Sequence, residues 1–419
     1  MSVEKVDTLV VGAGQAGVAM SEHLGKQGIS HVVLERKRVA ENWRTGRWDS
    51  LVANGPAWHD RFPGLTFSDV DGDDFAPKEK VADYFVKYAE KISAPIRCGI
   101  EVKAIENNPD GSGFRVETSD GLYEARNVVA ATGPFQRPII PPLVPENEDI
   151  LQIHSQSYRN PAQLPEGAVL VVGAGSSGTQ IADELMQSGR RVYLSVGPHH
   201  RPPRRYRGKD FVWWLGALGV WDLKVPASNT EHVTIAVSGA HGGKTIDFRR
   251  LAERGMNLVG MAKSFGDGLI RFAPDLKDNI ALGDANYLSL LDQADAYAER
   301  EGLDFPLEPD ARDLPADPAC VSEPLLELDL RQHGITSIIW ATGYTFDFSW
   351  LKVDTFDDRG RPIHVRGVSK VPGIYFLGLP WLSRRASSFI WGVWHDAAHL
   401  AETIAERASS DDLRTGTGS

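Results

Sequence analysis

Two glycine-rich turns, Gly12-Ala13-Gly14-Gln15-Ala16-Gly17 and Gly173-Ala174-Gly175-Ser176-Ser177-Gly178, each follow an aliphatic run and open into helix-forming sequence. In such a strand-turn-helix unit the first glycine permits the tight turn and the second lets a pyrophosphate approach the backbone. The third lets helix and strand pack closely, and the helix N-terminus attracts phosphate. One turn of this kind constrains little. Two in a single chain predict an α/β protein with two Rossmann-like dinucleotide-binding domains.

The sequence after each turn separates the two ligands. His31-Val32-Val33-Leu34 reads as the next strand of a βαβ unit and ends in Glu35, spaced to accept both ribose hydroxyls of FAD or NAD. Arg191–Val196 is the corresponding strand after the second turn, but no acid follows it; His199, His200, Arg201, Arg204, Arg205 and Arg207 come instead. An arginine there pairs with a 2′-phosphate, which favours NADPH over NADH and puts Arg201 and Arg204 first. The alternative is a solvated loop, the usual fate of a charge run.

The 419 residues suffice for two to three domains, and a net charge of −11 excludes general affinity for nucleic acid or anionic membrane. The basic cluster therefore calls for a small anionic ligand. With two cysteines far apart, Cys98 and Cys320, the chain has no disulfide framework, CxxC redox centre or zinc spacing, and no metal is expected. Both thiols are expected to be buried and structural. The absent CxxC counts against the disulfide reductases, which also pair two dinucleotide folds. No apolar run reaches the length of a membrane helix, and the first strand begins after a few polar residues, so a cytoplasmic protein is expected. The aromatic stretch Phe211–Trp221 is too short to span a bilayer. It reads as core or homodimer packing, with a substrate-access or membrane-surface patch as the alternative.

Asn127–Gly133 and Ser337–Gly343 look like buried strands ending in glycine turns and bracket the second fingerprint. The simplest topology inserts the NADPH domain into the FAD domain: 1–160 for the first part of the FAD domain, 161–335 for the NADPH domain with an insertion, 336–408 for the return, and a disordered tail over 409–419. Pro134–Pro145 and Asn160–Gly167 serve as connectors. Helices are expected at Asp247–Arg254, Tyr287–Glu301 and Phe389–Arg407.

This combination resembles the class B flavin-dependent monooxygenases, and the flavin-containing monooxygenase branch most. The likeness rests on both fingerprints, Glu35, Asn42-Trp43, Arg47-Trp48-Asp49-Ser50, the stretch through Asn54-Gly55-Pro56, Ala341-Thr342-Gly343-Tyr344, and Gly373–Leu379. One family signature is damaged: His154 and Tyr158 are present, but Glu148 and Ile150 replace its Phe and Gly. Tyr158 in place of Trp leans toward heteroatom oxygenation. His154 is either part of the interdomain junction or an ordinary linker histidine.

The resemblance implies FAD, NADPH, O2 and a small-molecule substrate, with a C4a-hydroperoxyflavin oxygenating nitrogen or sulfur. The cofactor does the hard chemistry, and the protein supplies orientation, dryness and hydrogen bonds. Baeyer-Villiger or YUCCA-like oxygenation of a carbonyl, a reductase passing electrons to a partner protein, and a non-catalytic redox-sensing flavoprotein are the alternatives. Ala53-Asn54 matches the family's Thr-Asn pair, which makes Asn54 the candidate catalytic donor; its other reading is an Asn-Gly turn residue. The expected flavin-side set adds Arg36, Val102, Ala131, Thr132, Gly133, Gly378 and Ser388 to Gly12, Gly14, Gln15, Ala16, Gly17, Glu35, Asn42, Trp43, Arg47, Trp48 and Ser50. The expected NADPH-side set is Gly173, Gly175, Ser176, Ser177, Gly178, Gln180, Ser195, Arg201, Arg204, Ala341, Thr342 and Gly343. Arg47 could instead pair with Asp49. The neighbours His59 and Asp60 read as a loop-surface pair.

Overall fold

The computed structural model describes residues 3–146, 149–224 and 234–416. Among these, seven strands of a nine-stranded sheet run in the order His364–Val365, Val368–Ser369, Ile374–Phe376, Leu122–Ala130, Val3–Val11, His31–Glu35 and Ile96–Cys98, while Val102–Asn107 and Phe114–Thr118 branch from Leu122–Ala130. Its central members pair in parallel. A parallel sheet is covered on both faces, so its strands are apolar throughout, as in Leu9-Val10-Val11 and Val128-Val129-Ala130. A second sheet, all parallel, runs Asn257–Val259, Val192–Ser195, Ala168–Val172, Ile335–Trp340 and Leu151–His154. Each fingerprint leaves the carboxyl end of a strand in its own sheet, where ligands of open α/β sheets bind.

The expected boundaries at 160 and 335 shift. Leu151–His154 and Ile335–Trp340 both pair within the second sheet, the latter at Trp340 against Val172. An apolar strand looks the same in either sheet, so composition could not assign them. The helix Ile390–Gly416 continues through the segment expected to be disordered; residues 417–419 and Glu148 lie outside the described residues. The helix expected from Tyr287 begins at Leu276, and the one expected near Asp247 is Phe248–Glu253, capped by the Asp247 carboxylate on the Arg249 and Arg250 amides. Phe211, Val212, Trp214, Leu215 and Trp221 are buried within the chain, so the aromatic stretch forms intramolecular core. Among the described residues no helix is long and apolar enough to cross a membrane. Cys98 is exposed, against expectation, and Cys320 half-buried.

Candidate active site

The first fingerprint opens onto a cavity of about 850 Å³. Gly12 turns with φ of 103°, and Gly17 lies so close beneath it that a Cβ there would fall 1.8 Å from the Gly12 carbonyl oxygen. Gly14, at the N-cap of the helix Gln15–Lys26, has nothing within 4 Å of where its Cβ would stand. That open face is what a pyrophosphate requires. Gly12, Gly14, Gln15, Ala16, Glu35, Arg36, Asn42, Trp43, Arg47, Val102, Ala131, Thr132, Gly133 and Gly378 line the cavity together. The Glu35 carboxylate accepts from the Ala13 and Lys37 amides, which fixes it at the strand end.

Arg47 has no carboxylate partner among the described residues. It donates to the Gly46 carbonyl at 3.0 Å and lies 4.3 Å from the Phe135 ring centre, and burial pushes its guanidinium below the usual arginine range. The alternative ion pair with Asp49 is not formed; Asp49 faces Lys78 and Asn160. A half-buried cation facing a cavity without a counter-ion suits an anionic ligand. These residues fit FAD. Phe135, Gln136 and Trp350 also line the cavity and were missed, since neither fingerprint nor spacing marks them.

Gly17, Trp48, Ser50 and Ser388 do not line it. Gly17 is packing, and Trp48 is buried in the core of the second sheet. Ser50 donates to Glu184 at 2.6 Å. Ser388 contributes its carbonyl, which accepts from Gln15 Nε2 at 2.9 Å and ties the start of the C-terminal helix to the first fingerprint.

The second fingerprint repeats the geometry with one difference. Gly173 has φ of 108°, and a Cβ on Gly178 would again meet the first glycine's carbonyl oxygen at 1.8 Å. Ala341 completes the turn, its carbonyl oxygen 2.4 Å from a Cβ on Gly173. A Cβ on Gly175, however, would fall 2.4 Å from Thr234 Cγ2, and Ser176 Oγ donates to the Ile235 carbonyl at 2.8 Å. The chain's own strand Thr234–Ile235 therefore covers the face where a pyrophosphate would dock. Turn and helix suit a dinucleotide, provided that strand moves.

Arg201 and Arg204 are not free for a 2′-phosphate. Each is 2% exposed; Arg201 is bound to Asp284 and Arg204 to Asp210. Arg204 also donates to the Asn54 carbonyl at 2.6 Å. Buried carboxylates fix these guanidinium groups: Asp284 lies 83 residues along the chain from Arg201, whereas Asp210 is only six residues from Arg204. Ser195 is likewise internal, donating to the Gly260 carbonyl and accepting from the Ala262 amide. Thr342 donates to the Ile139 carbonyl, and the Gly343 carbonyl meets His154 Nε2 at 3.0 Å. The other His154 nitrogen accepts from the Gln156 amide, so the ring is a fully bonded joint between the second sheet and the Ala341–Tyr344 turn. Burial holds His154 below the usual imidazole range, and burial with the Glu184 contact at 2.6 Å pushes the Tyr158 hydroxyl far up.

Asn54 stands at the seam between the two units. Its Oδ1 accepts from Gln180 Nε2 at 3.0 Å, on the helix that follows the second fingerprint, and Gln180 also donates to the Val237 carbonyl. With Oδ1 engaged, Asn54 Nδ2 has no partner among the described residues. His59 and Asp60 are not a surface pair: His59 is 8% exposed, its Nδ1 lies 2.8 Å from the Asp60 carboxylate, and the other Asp60 oxygen accepts from the Gly55 amide.

Comparison with known proteins agrees with this architecture. Residues 9–217 match the family model for pyridine nucleotide-disulphide oxidoreductases. A CzcO-like oxidoreductase of Geobacillus kaustophilus is 35% identical over 403 residues, spanning 95% of this chain and 98% of the relative. The chain belongs to the CzcO-like oxidoreductases. The indole-3-pyruvate monooxygenase YUCCA1 of Oryza sativa is 25% identical over 94% of this chain and 90% of its own length. The flavin-containing monooxygenase of Stenotrophomonas maltophilia shares the fold at a TM-score of 0.67 and 20% identity, covering 97% of this chain and all of the other. This CzcO-like protein is thus an oxidoreductase that shares its fold with a flavin-containing monooxygenase.

Proposed function

We propose that this CzcO-like oxidoreductase is an FAD- and NADPH-dependent monooxygenase that uses O2 to oxygenate nitrogen or sulfur of a small organic substrate. The observation that carries the reading is Asn54: a carboxamide at the seam of two dinucleotide units, its oxygen held by Gln180 and its Nδ2 left to donate. FAD would be held by the cavity residues at the first fingerprint, with the pyrophosphate at Gly14, the ribose on Glu35 and Arg47 as counter-ion. When bound and reduced by NADPH it supplies oxygen activation.

The remaining work belongs to the chain. Gln180 and Arg204 fix the Asn54 turn from opposite sides, one on the side chain and one on the carbonyl. A donor held in place before reaction stabilises developing negative charge without reorganisation, an effect of roughly 10²–10³ in rate when a single donor is removed.

The test is coupling. Asn54→Ala should retain FAD and NADPH-driven flavin reduction but divert reducing equivalents to hydrogen peroxide, and a transient absorbance distinct from reduced and oxidised flavin should vanish. Unchanged coupling removes Asn54 from the role. Wild-type enzyme that passes electrons to acceptor proteins and never oxygenates a nitrogen or sulfur compound would instead be a reductase.

A further inference from the structure

His59 is a buried group that the proposed function leaves unused. Its imidazole is held on three sides: Trp221 stacks on it at 5.5 Å and 23°, Trp391 at 6.2 Å and 28°, and Trp58 meets it edge-on at 5.5 Å. Nδ1 faces Asp60 Oδ1 at 2.8 Å, so the neutral ring carries its proton on Nδ1 and presents Nε2 as an acceptor. Nε2 is buried and has no partner among the described residues. An unmade bond at a buried nitrogen costs about 1–3 kcal/mol, so the group calls for an occupant.

Its position is fixed by the same elements that frame Asn54. Asp60 ties His59 to the Gly55 amide, next to Asn54. Trp391 lies on the helix whose start, through the Ser388 carbonyl, is bonded to Gln15 of the first fingerprint. Phe389, the exposed member of the group, leans on Trp221 at 5.1 Å. An acceptor nitrogen framed by indole rings and backed by a carboxylate is complementary to a cation that can give up a proton, because aromatic faces and the carboxylate both attract positive charge.

We propose that His59 Nε2 is the base that takes the proton from an ammonium substrate at the oxygenation site, which rests on the proposed function above. A protonated amine has no lone pair to oxygenate. In the step, one N–H bond of the ammonium breaks and one Nε2–H bond forms. The amine nitrogen keeps the electron pair, and the positive charge passes to the imidazole opposite Asp60. The other charged groups on the elements packed against His59 include Arg61, whose Nε donates to the Trp58 carbonyl; Arg204, which faces Asp60; Asp222, paired with Arg384 at 2.6 Å; half-buried Arg385; His395, 4.8 Å from Trp391; and buried Asp396, which accepts from Ser383.

The experiment compares N,N-dimethylbenzylamine, charged near neutrality, with methyl p-tolyl sulfide, which has no proton to lose, using FAD-loaded wild type, His59→Gln and Asp60→Asn. Product formation driven by NADPH is followed across pH. His59→Gln should lower kcat/KM for the amine by roughly 100-fold while changing the sulfide little. Asp60→Asn turns an amide donor toward Nδ1, forces the proton onto Nε2 and should produce the same split with the ring still in place. Equal losses for both probes, or no loss for the amine, overturn the assignment. Wild type that oxygenates the sulfide alone preserves the proposed function and removes His59 from it. If neither probe is oxygenated, tryptophan quenching by the amine decides. Quenching weakened in His59→Gln supports His59 as the ammonium site, and absent or unchanged quenching overturns it.

Discussion

Gly14 and Gly17 occupy one turn but meet opposite demands. A methyl group on Gly17 collides with the Gly12 carbonyl, whereas one on Gly14 enters open space. Gly17→Ala is therefore expected to destabilise the fold by about 3 kcal/mol or more, read by thermal unfolding. Gly14→Ala should leave the melting temperature nearly unchanged and lose FAD, read by flavin absorbance after gel filtration; retained FAD would mean that the pyrophosphate approaches elsewhere. Arg204 makes a second residue-level case. Arg204→Ala leaves Asp210 buried without its partner, at a cost of about 3–5 kcal/mol, and frees the Asn54 carbonyl. Turnover with NADPH and with NADH should fall together; a loss confined to NADPH would restore the 2′-phosphate role.

At the level of elements, the cofactor turns were legible because their chemistry is local. A glycine at each tight turn and an acid at a strand end declare themselves within a few dozen residues. The seam was not legible, because its bonds are long-range: Asn54 meets Gln180, Arg201 meets Asp284, and His59 meets Trp221 and Trp391. His59 and Asp60 looked like loop residues since nothing nearby announces the indoles that bury them. Sheet membership failed for the same reason: Leu151–His154 and Ile335–Trp340 are apolar strands whose partners are set by tertiary pairing. Gln180→Leu tests the seam. It removes the bond to Asn54 while keeping helix-forming character, and peroxide release per NADPH should rise as in Asn54→Ala, without loss of FAD.

Across the whole molecule, buried histidines should make stability fall in acid. His199 is fully enclosed, with Nδ1 on the Gly197 carbonyl, and burial holds it down to about 4; His23, also lowered mainly by burial, is held to about 4. The unfolded chain protonates such imidazoles near their ordinary value of 6.5, so between 6.5 and about 4 it binds more protons than the folded state. Stability is full above that window and falls as pH drops through it. His199→Asn, which keeps a donor for Gly197 without titrating, should flatten the decline in melting temperature on acidification; an unchanged slope would assign the decline to other groups. The strand over Gly175 acts at this scale too. With NADPH docked at Gly175 as proposed, Thr234 would be, in kinetic language, its tethered competitor, present at an effective concentration set by the chain itself. The apparent affinity for NADPH would then scale with the fraction of molecules in which that strand has withdrawn. At high NADPH the rate of flavin reduction should then level off at the strand's departure rate, and Thr234→Gly should raise both that plateau and the affinity.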